Sequence, residues 1–356
     1  MKKNNNKLLM AIMKGRTFFV LAILVIFFAV KSPSFLTVNS IIAIMKHVAL
    51  FGILGVGMTY VIITGGIDLS VGSVVGLVGM IAGDLIVDGL KVGGYTVYFN
   101  VPAIVVISLI LGALVGLING VVITKFDVAP FIATLGMMNV ARGLAMLRTN
   151  GATFSNIAGH EALGNTGFKM LGSSIGKVPV VVYVFAVLII IATVVLKYTS
   201  FGWHVFSVGG NPRASLLSGI KVKKVTTMVY MFSGVCAAIV GLITTSQLTA
   251  ANPSSGDGWE MNAISAVVLG GTSMTGGVGS IGGTVIGAFV IGVINDGMIM
   301  IGVSEFWQKV IKGIIIVLAV IIDQYQAKLQ AKIALMQAAE ENKDEDIHLQ
   351  YPYQNN

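Results

Sequence analysis

Few residues in this chain are able to do chemistry, and most of those stand singly inside long apolar stretches. Asp68 is the most informative: it follows Gly65-Gly66 and precedes Ser70, between two apolar segments. An ionisable group at membrane depth is expensive and marks a functional position by default. The same motif has a structural reading, in which Asp68 caps the next helix by accepting backbone N–H groups at its N-terminus. The Gly-Gly-x-Asp-x-Ser shape, a tight turn, favours that second reading. Asn119 and Asn295 each lie in an otherwise apolar span. They either line a polar pathway and bond passing hydroxyls, or act as interhelical glue worth about 1 kcal/mol each. Ser70, Thr134, Asn139, Arg142 and Gln247 are candidates of the same two kinds, and Arg142 has the further option of snorkelling from the end of its helix. Glu260 and Asn262 open a Gly-rich segment, where capping is the plainer explanation.

Other chemistry is excluded. The chain has no Gly-x-x-x-x-Gly-Lys-Ser/Thr phosphate loop, so no ATP hydrolysis is expected in it. The cluster from Gly270-Gly271-Thr272 to Gly276-Gly277-Val278-Gly279 lacks the lysine and the preceding soluble strand of a nucleotide site. His47, His160, His204 and His348 have no metal-ligand spacing, and the lone Cys236 lies in an apolar run, so neither a metal nor a disulfide is expected. No Ser/His/Asp arrangement can be read, and no enzymatic activity or cofactor is expected in this chain. Intramembrane acids are too few for a proton- or sodium-driven carrier; a passive pathway driven from outside fits better.

A charged central loop supplies a surface for such a drive. Lys221, Lys223 and Lys224 lie in it, after Gly209-Gly210-Asn211-Pro212-Arg213. Asn211 is a good N-cap, Pro212 suits the first helical position, Ala214 to Leu217 can form one or two turns, and Gly219 reads as a stop. Basic loops between apolar segments stay cytoplasmic, so this loop also orients the chain.

The elements that must hold these residues are membrane helices. The 356 residues are 55% hydrophobic and 11% charged, against about 25% charged in ordinary soluble domains. Mean hydropathy is +0.90. A bilayer core about 30 Å thick takes roughly 20 apolar residues per helix, which leaves room for about ten spans. The 44 glycines suit close helix packing, and the net charge of +8 lies mainly at the N-terminus and in the central loop. It faces anionic lipid and cytoplasm; nucleic acid is not implied.

The fold expected is an all-α integral membrane protein of about ten transmembrane helices. Their limits are 16–31, 40–64, 69–87, 101–124, 129–147, 179–197, 225–249, 260–272, 281–302 and 306–323. The third and eighth are short or Gly-rich and need not cross fully. Residues 1–15 form a cytoplasmic N-terminus, 16–323 the transmembrane domain with its loop at about 198–224, and 324–356 a cytoplasmic tail. Phe18 to Val30, behind Lys2, Lys3, Lys7, Lys14 and Arg16, resembles a signal peptide but is followed by no small-x-small cleavage site, so it reads as a retained first helix. Both termini then fall on the cytoplasmic side of a bacterial cytoplasmic (inner) membrane, and the 148–178 segment faces out despite Arg148, Lys169 and Lys177. In the tail, Gln324 to Ala339 reads as a helix and Glu340 to Asp346 as a charged run, a solvated extension.

An internal echo is present. Ile62 to Ser73 is matched by Val268 to Gly277, and Val115-Gly116-Leu117-Ile118-Asn119-Gly120 by Ile291-Gly292-Val293-Ile294-Asn295-Asp296. Transporters are often built from weak repeats with Gly-broken helices at matching positions. The unequal spacing of the two pairs requires an insertion in one half.

Four blocks together resemble the sugar permeases of ATP-binding-cassette importers, the ribose-permease type. They are Gly65-Gly66-Ile67-Asp68-Leu69-Ser70-Val71-Gly72; Pro130 to Met137 with Ala141-Arg142-Gly143; Gly209-Gly210-Asn211-Pro212 with Ser218-Gly219-Ile220; and Ala263 to Ser273. The likeness runs from about residue 16 to about 323, and the tail beyond Asp323 is longer than this family usually shows. The resemblance implies a permease that pairs with a second copy and binds a cytoplasmic ATPase, where ATP and Mg would be held. An extracytoplasmic binding protein would deliver the sugar. It also implies that Asn211, Pro212, Arg213, Ala214, Leu216, Ser218, Gly219 and Ile220 form the coupling helix that docks on the ATPase. The rival readings are a permease of the same architecture for branched-chain amino acids or nucleosides, and a stand-alone ion-coupled carrier.

Overall fold

The computed structural model describes residues 2–147, 149–318, 320–321 and 324–325, with backbone alone for 2–16. The chain divides into two units, Met1–Gln308 and Lys309–Asn356. In the second, residues 309–318 are helical; the expected helix at 324–339 and the charged run at 340–346 lie outside the described residues, apart from Gln324 and Tyr325.

The first unit is a bundle of helices: α1 (Lys2–Lys31), α2 (Val38–Ile63), α3 (Val71–Val87), α4 (Val101–Lys125), α5 (Pro130–Leu147), α6 (Val180–Tyr198), α7 (Ser200–Gly210), α8 (Pro212–Leu217), α9 (Val222–Leu248), α10 (Trp259–Leu269) and α11 (Ile281–Met300). A further helix begins at residue 305. Six of these, α2, α4, α5, α6, α9 and α11, are long and apolar enough to cross a membrane. The apolar part of α1 (Thr17–Lys31) and the whole of α3 and α10 are shorter. At 1.5 Å per residue α10 spans only roughly 16 Å, about half a bilayer core.

Each helix is positioned by what it buries. Burial in α2 is nearly continuous from Val48 to Ile63, and α3 is buried along almost its whole length, so these two form the centre. Helix α4 lies backbone-to-backbone on α9. A Cβ at Gly112 would strike the Gly234 carbonyl, one at Gly116 the Tyr230 carbonyl, and one at Gly120 the backbone of Thr227. This three-turn row of small residues lets two membrane helices approach where a larger side chain would wedge them apart. By contrast α5 keeps most of its surface uncovered, with Phe131, Ile132, Val140 and Leu144 exposed.

The helices alternate in direction, so the connections gather at two ends. At one end lie the close of α4 at Lys125, the start of α5, Lys197 in the last turn of α6, α8, and the start of α9. Thr17 of α1 donates to the carbonyl of Leu269 at the close of α10 (2.6 Å), placing those two there as well. The opposite end carries small strand pairs that the all-helical reading did not include: β1 (Leu90–Val92) with β2 (Tyr95–Val97), β3 (Phe154–Ser155) with β6 (Ala250–Ala251), and β4 (Ser174–Ile175) with β5 (Val178–Pro179). The 148–178 segment is tied down there. Asn165 donates to the Ile86 carbonyl (2.9 Å), and the Ser246 hydroxyl donates to the Phe168 carbonyl while accepting from the Gly172 N–H, both at 2.7 Å.

Helix α7 is a second departure, occupying the first part of the loop expected over about 198–224. Thr199, in extended conformation between α6 and α7, accepts from the Gly202 N–H and starts a new helix at an angle. Its buried Val205 and Val208 face the bundle, while Trp203 is exposed.

Candidate functional site

The turn between α2 and α3 places Asp68 and Ser70 inside the bundle, where they hold a polar network. The Asp68 side chain is 1% exposed. Its Oδ1 accepts from the Ser70 N–H (3.0 Å) and the Ser70 hydroxyl (2.6 Å), and its Oδ2 accepts from the Ser233 hydroxyl on α9 (2.8 Å). The Ser70 hydroxyl in turn accepts from the Asn119 amide on α4 (3.0 Å). Beside it, the Ile67 carbonyl accepts from Thr134 on α5 (3.2 Å) and from the Tyr230 hydroxyl on α9 (3.4 Å). One turn therefore joins α3, α4, α5 and α9. Hydrogen bonds of this kind, each worth about 0.5–1.5 kcal/mol and more where the acceptor is charged, offset part of the cost of burying an acid.

The geometry amends the capping reading of Asp68. Ser70 holds the N-cap position of α3, and its side chain makes no cap bond because its hydroxyl is engaged with Asp68 and Asn119. Among the described residues, the only backbone N–H that Asp68 binds is that of Ser70, one residue outside the helix. Asp68 closes an Asx turn and bridges to α9; it does not cap α3.

The remaining candidates separate. Asn119, buried, is committed to the network, whereas Asn295 on α11 is also buried and neither of its amide atoms has a partner among the described residues. Asn139 is exposed on α5 and its amide donates to the Leu135 carbonyl of its own helix. Arg142 does not snorkel: it donates to the carbonyls of Pro253 and Ser255 in the loop before α10. Gln247 is half-buried near the close of α9, and Glu260 and Asn262 are buried in the first turns of α10, behind Gly258 at its N-cap. Sequence reasoning missed Ser233 and Tyr230, which look like ordinary α9 residues until Asp68 is placed opposite. It also missed the pair between His47 Nδ1 on α2 and Asp296 Oδ1 on α11 (2.7 Å). Two ionisable residues in separate apolar spans were the available signal for that pair. Among the described residues no group of three or more His, Cys, Asp or Glu is placed to hold a metal.

At the α8 end the Asn211 side chain accepts from the Ala214 N–H (3.0 Å), with Pro212 opening the helix. Ser218 stands at the C-cap, and the Gly219 and Ile220 N–H groups return to the carbonyls of Leu216 and Ser215. Leu216 is 64% and Leu217 88% exposed, on a helix too short to be stable on exposed apolar side chains alone. Arg213 and Leu216 also edge a cleft of about 560 Å³ that reaches past Asp127, Thr124 and Lys223 to the Gly65-Gly66 turn and Tyr230. The cleft thus connects the surface at α8 with the underside of the Asp68 turn.

Comparison with known proteins identifies this arrangement. Residues 40–320 match the family described as the branched-chain amino acid transport system / permease component. The ribose import permease protein RbsC of Bacillus subtilis (strain 168) is 42% identical over 313 residues, 86% of this chain and 91% of that protein. Its namesake in Escherichia coli (strain K12) is 38% identical over 312 residues, 88% and 94% of the two chains. The galactose/methyl galactoside import permease protein MglC of Escherichia coli (strain K12) is 33% identical over 326 residues, 90% and 96%. No solved structure matches the chain. The chain belongs to the branched-chain amino acid transport system permease family, and within it stands with the ribose-type sugar permeases of ATP-binding-cassette importers.

Proposed function

We propose that this chain is the membrane-spanning subunit of a ribose-type importer, moving a monosaccharide inward by alternating access while an ATPase partner supplies the energy. The observation that carries this reading is α8, a well-capped helix that leaves Leu216 and Leu217 bare beside Arg213. Such a surface is what a soluble motor would grip. The α8 end is the cytoplasmic one, since Lys125, Lys197, Arg213, Lys221, Lys223 and Lys224 all lie there. ATP and Mg belong to the partner. The uncovered apolar face of α5 fits a second permease copy in the membrane, and an extracytoplasmic binding protein would deliver the sugar at the opposite end. No bond in the sugar changes.

Within the pathway the two matching asparagines take different parts. Asn119 holds helices together, and Asn295, whose amide is free, is the one available to meet sugar hydroxyls. The sparse polar inventory agrees with a pathway that must release its cargo.

A second reading, import of branched-chain amino acids, is favoured by the family's own description. Uptake of labelled ribose, galactose and leucine by cells co-expressing the ATPase and binding protein separates the two: leucine uptake alone would sink the sugar reading. Replacing Arg213 and Leu216 together by Asp is expected to abolish ATPase association and uptake while membrane insertion persists. Unchanged association and uptake would remove α8 from its assigned role. Uptake that collapses with an uncoupler while ATP remains would instead point to an ion-coupled carrier.

A further inference from the structure

Three stretches of bare backbone meet immediately beside α8. Ile63 ends α2, and its carbonyl accepts from the Gly277 N–H (2.8 Å) in the loop between α10 and α11. Gly209, near the close of α7, is pressed onto this bond: a Cβ there would strike the Ile63 carbonyl oxygen and lie 2.6 Å from the Gly277 nitrogen. A Cβ on Gly276 would stand 2.8 Å from the Gly209 carbonyl and 3.1 Å from the Gly65 nitrogen. Gly277 itself has φ +75, a conformation that side chains resist. Gly210, one residue on, faces open space. Higher in α7, Phe201 stacks on Tyr60 of α2, with ring centroids 6.4 Å apart and planes at 21°.

Backbone packed on backbone has no rotamer to absorb a displacement, so such a contact transmits motion with little loss. From this knot the chain reaches α8 through Gly210 and Asn211 only. Asp68 is reached through Thr64 to Ile67, and α11 through Val278 to Ser280. The two Gly-rich turns that echo each other in sequence are therefore clamped to each other and to the approach to α8.

We propose that Gly209 is a positioning residue for transport: it locks α8 to both Gly-rich turns, so that movement of α8 shifts the Asp68 turn and the start of α11 together. This inference rests on the reading that α8 receives the motion of an ATPase. A second route, through Lys221 into α9, runs from α8 without passing Gly209, so the two routes are separable.

The test uses the whole transporter, permease with ATPase and binding protein, in proteoliposomes, scoring sugar imported per ATP hydrolysed. Gly209→Ala is expected to retain ATPase association and hydrolysis and to lower that ratio at least tenfold; Gly210→Ala, with room for a methyl group, is expected to match the wild type. A second variant, one extra glycine between Gly210 and Asn211, leaves the knot packed and slackens only its link to α8, and is also expected to lower the ratio. It decides the matter should Gly209→Ala fail to assemble. A wild-type ratio in the insertion variant, or in an assembled Gly209→Ala, overturns the inference and leaves the proposed function standing. Insensitivity of uptake to the Arg213 and Leu216 replacements would instead overturn the role of α8 itself.

Discussion

Asp68 gathers its stabilisation from two neighbours, Ser70 on its own turn and Ser233 across the helix boundary. Asp68→Ala strips the partner from both hydroxyls and from the Ser70 N–H, at about 1–3 kcal/mol for each buried group left unsatisfied. The expected outcome is a sharp loss of folded permease in detergent, read by size exclusion and thermal melting. Asp68→Asn keeps a side-chain acceptor and is expected to recover much of the yield. Asn295→Leu should behave in the opposite way. Removing an orphaned buried amide is neutral or stabilising, so its melting temperature should hold or rise, while sugar uptake should fall if the amide meets the cargo. A variant that keeps full uptake at every sugar concentration would return Asn295 to a packing role. Sequence alone could flag Asp68 and both asparagines as misplaced polar groups. It could not tell Asn119 from Asn295, because what separates them is whether Ser70 lies opposite.

Among the elements, the six helices long and apolar enough to cross a membrane were legible from hydropathy, because a bilayer demands long apolar runs. The start of α8 was legible from Asn211-Pro212, a local rule that needs no tertiary information. Helix α7 was overlooked because its charged surroundings suggested loop, although Thr199 and the spacing of Phe201, Val205 and Val208 spelled a short capped helix. The pairing of Phe154–Ser155 with Ala250–Ala251 was beyond reach, since neither strand has a partner nearby in sequence. Two outcomes follow at this scale. Asn211→Ala removes one N-cap bond, costing about 1 kcal/mol; on a helix this short it should weaken ATPase association without affecting membrane insertion, measured by co-purification. Gly116→Leu forces α4 away from the Tyr230 carbonyl and should pull Asn119 off Ser70, lowering folded yield to the level of Asp68→Ala.

For the whole molecule, the proposed orientation can be tested through its lone thiol. Cys236 is buried, so a cysteine introduced on the surface should be the one labelled. In intact cells an impermeant maleimide should react with Lys177→Cys and spare Lys223→Cys until the membrane is opened; the reverse pattern would invert the topology. The tail from 324 onward is assigned no essential role, and truncation after Asp323 should leave uptake per permease unchanged.

The bond from Ser233 to Asp68 also bears on how the protein is made. Its partners lie 165 residues apart. At synthesis rates of about 5–20 residues per second, the carboxylate waits on the order of ten to thirty seconds for α9 to leave the ribosome. Throughout that interval Oδ1 has Ser70 on its own turn while Oδ2 lacks its α9 partner, so the first helices hold a half-satisfied acid until the second half of the chain is inserted.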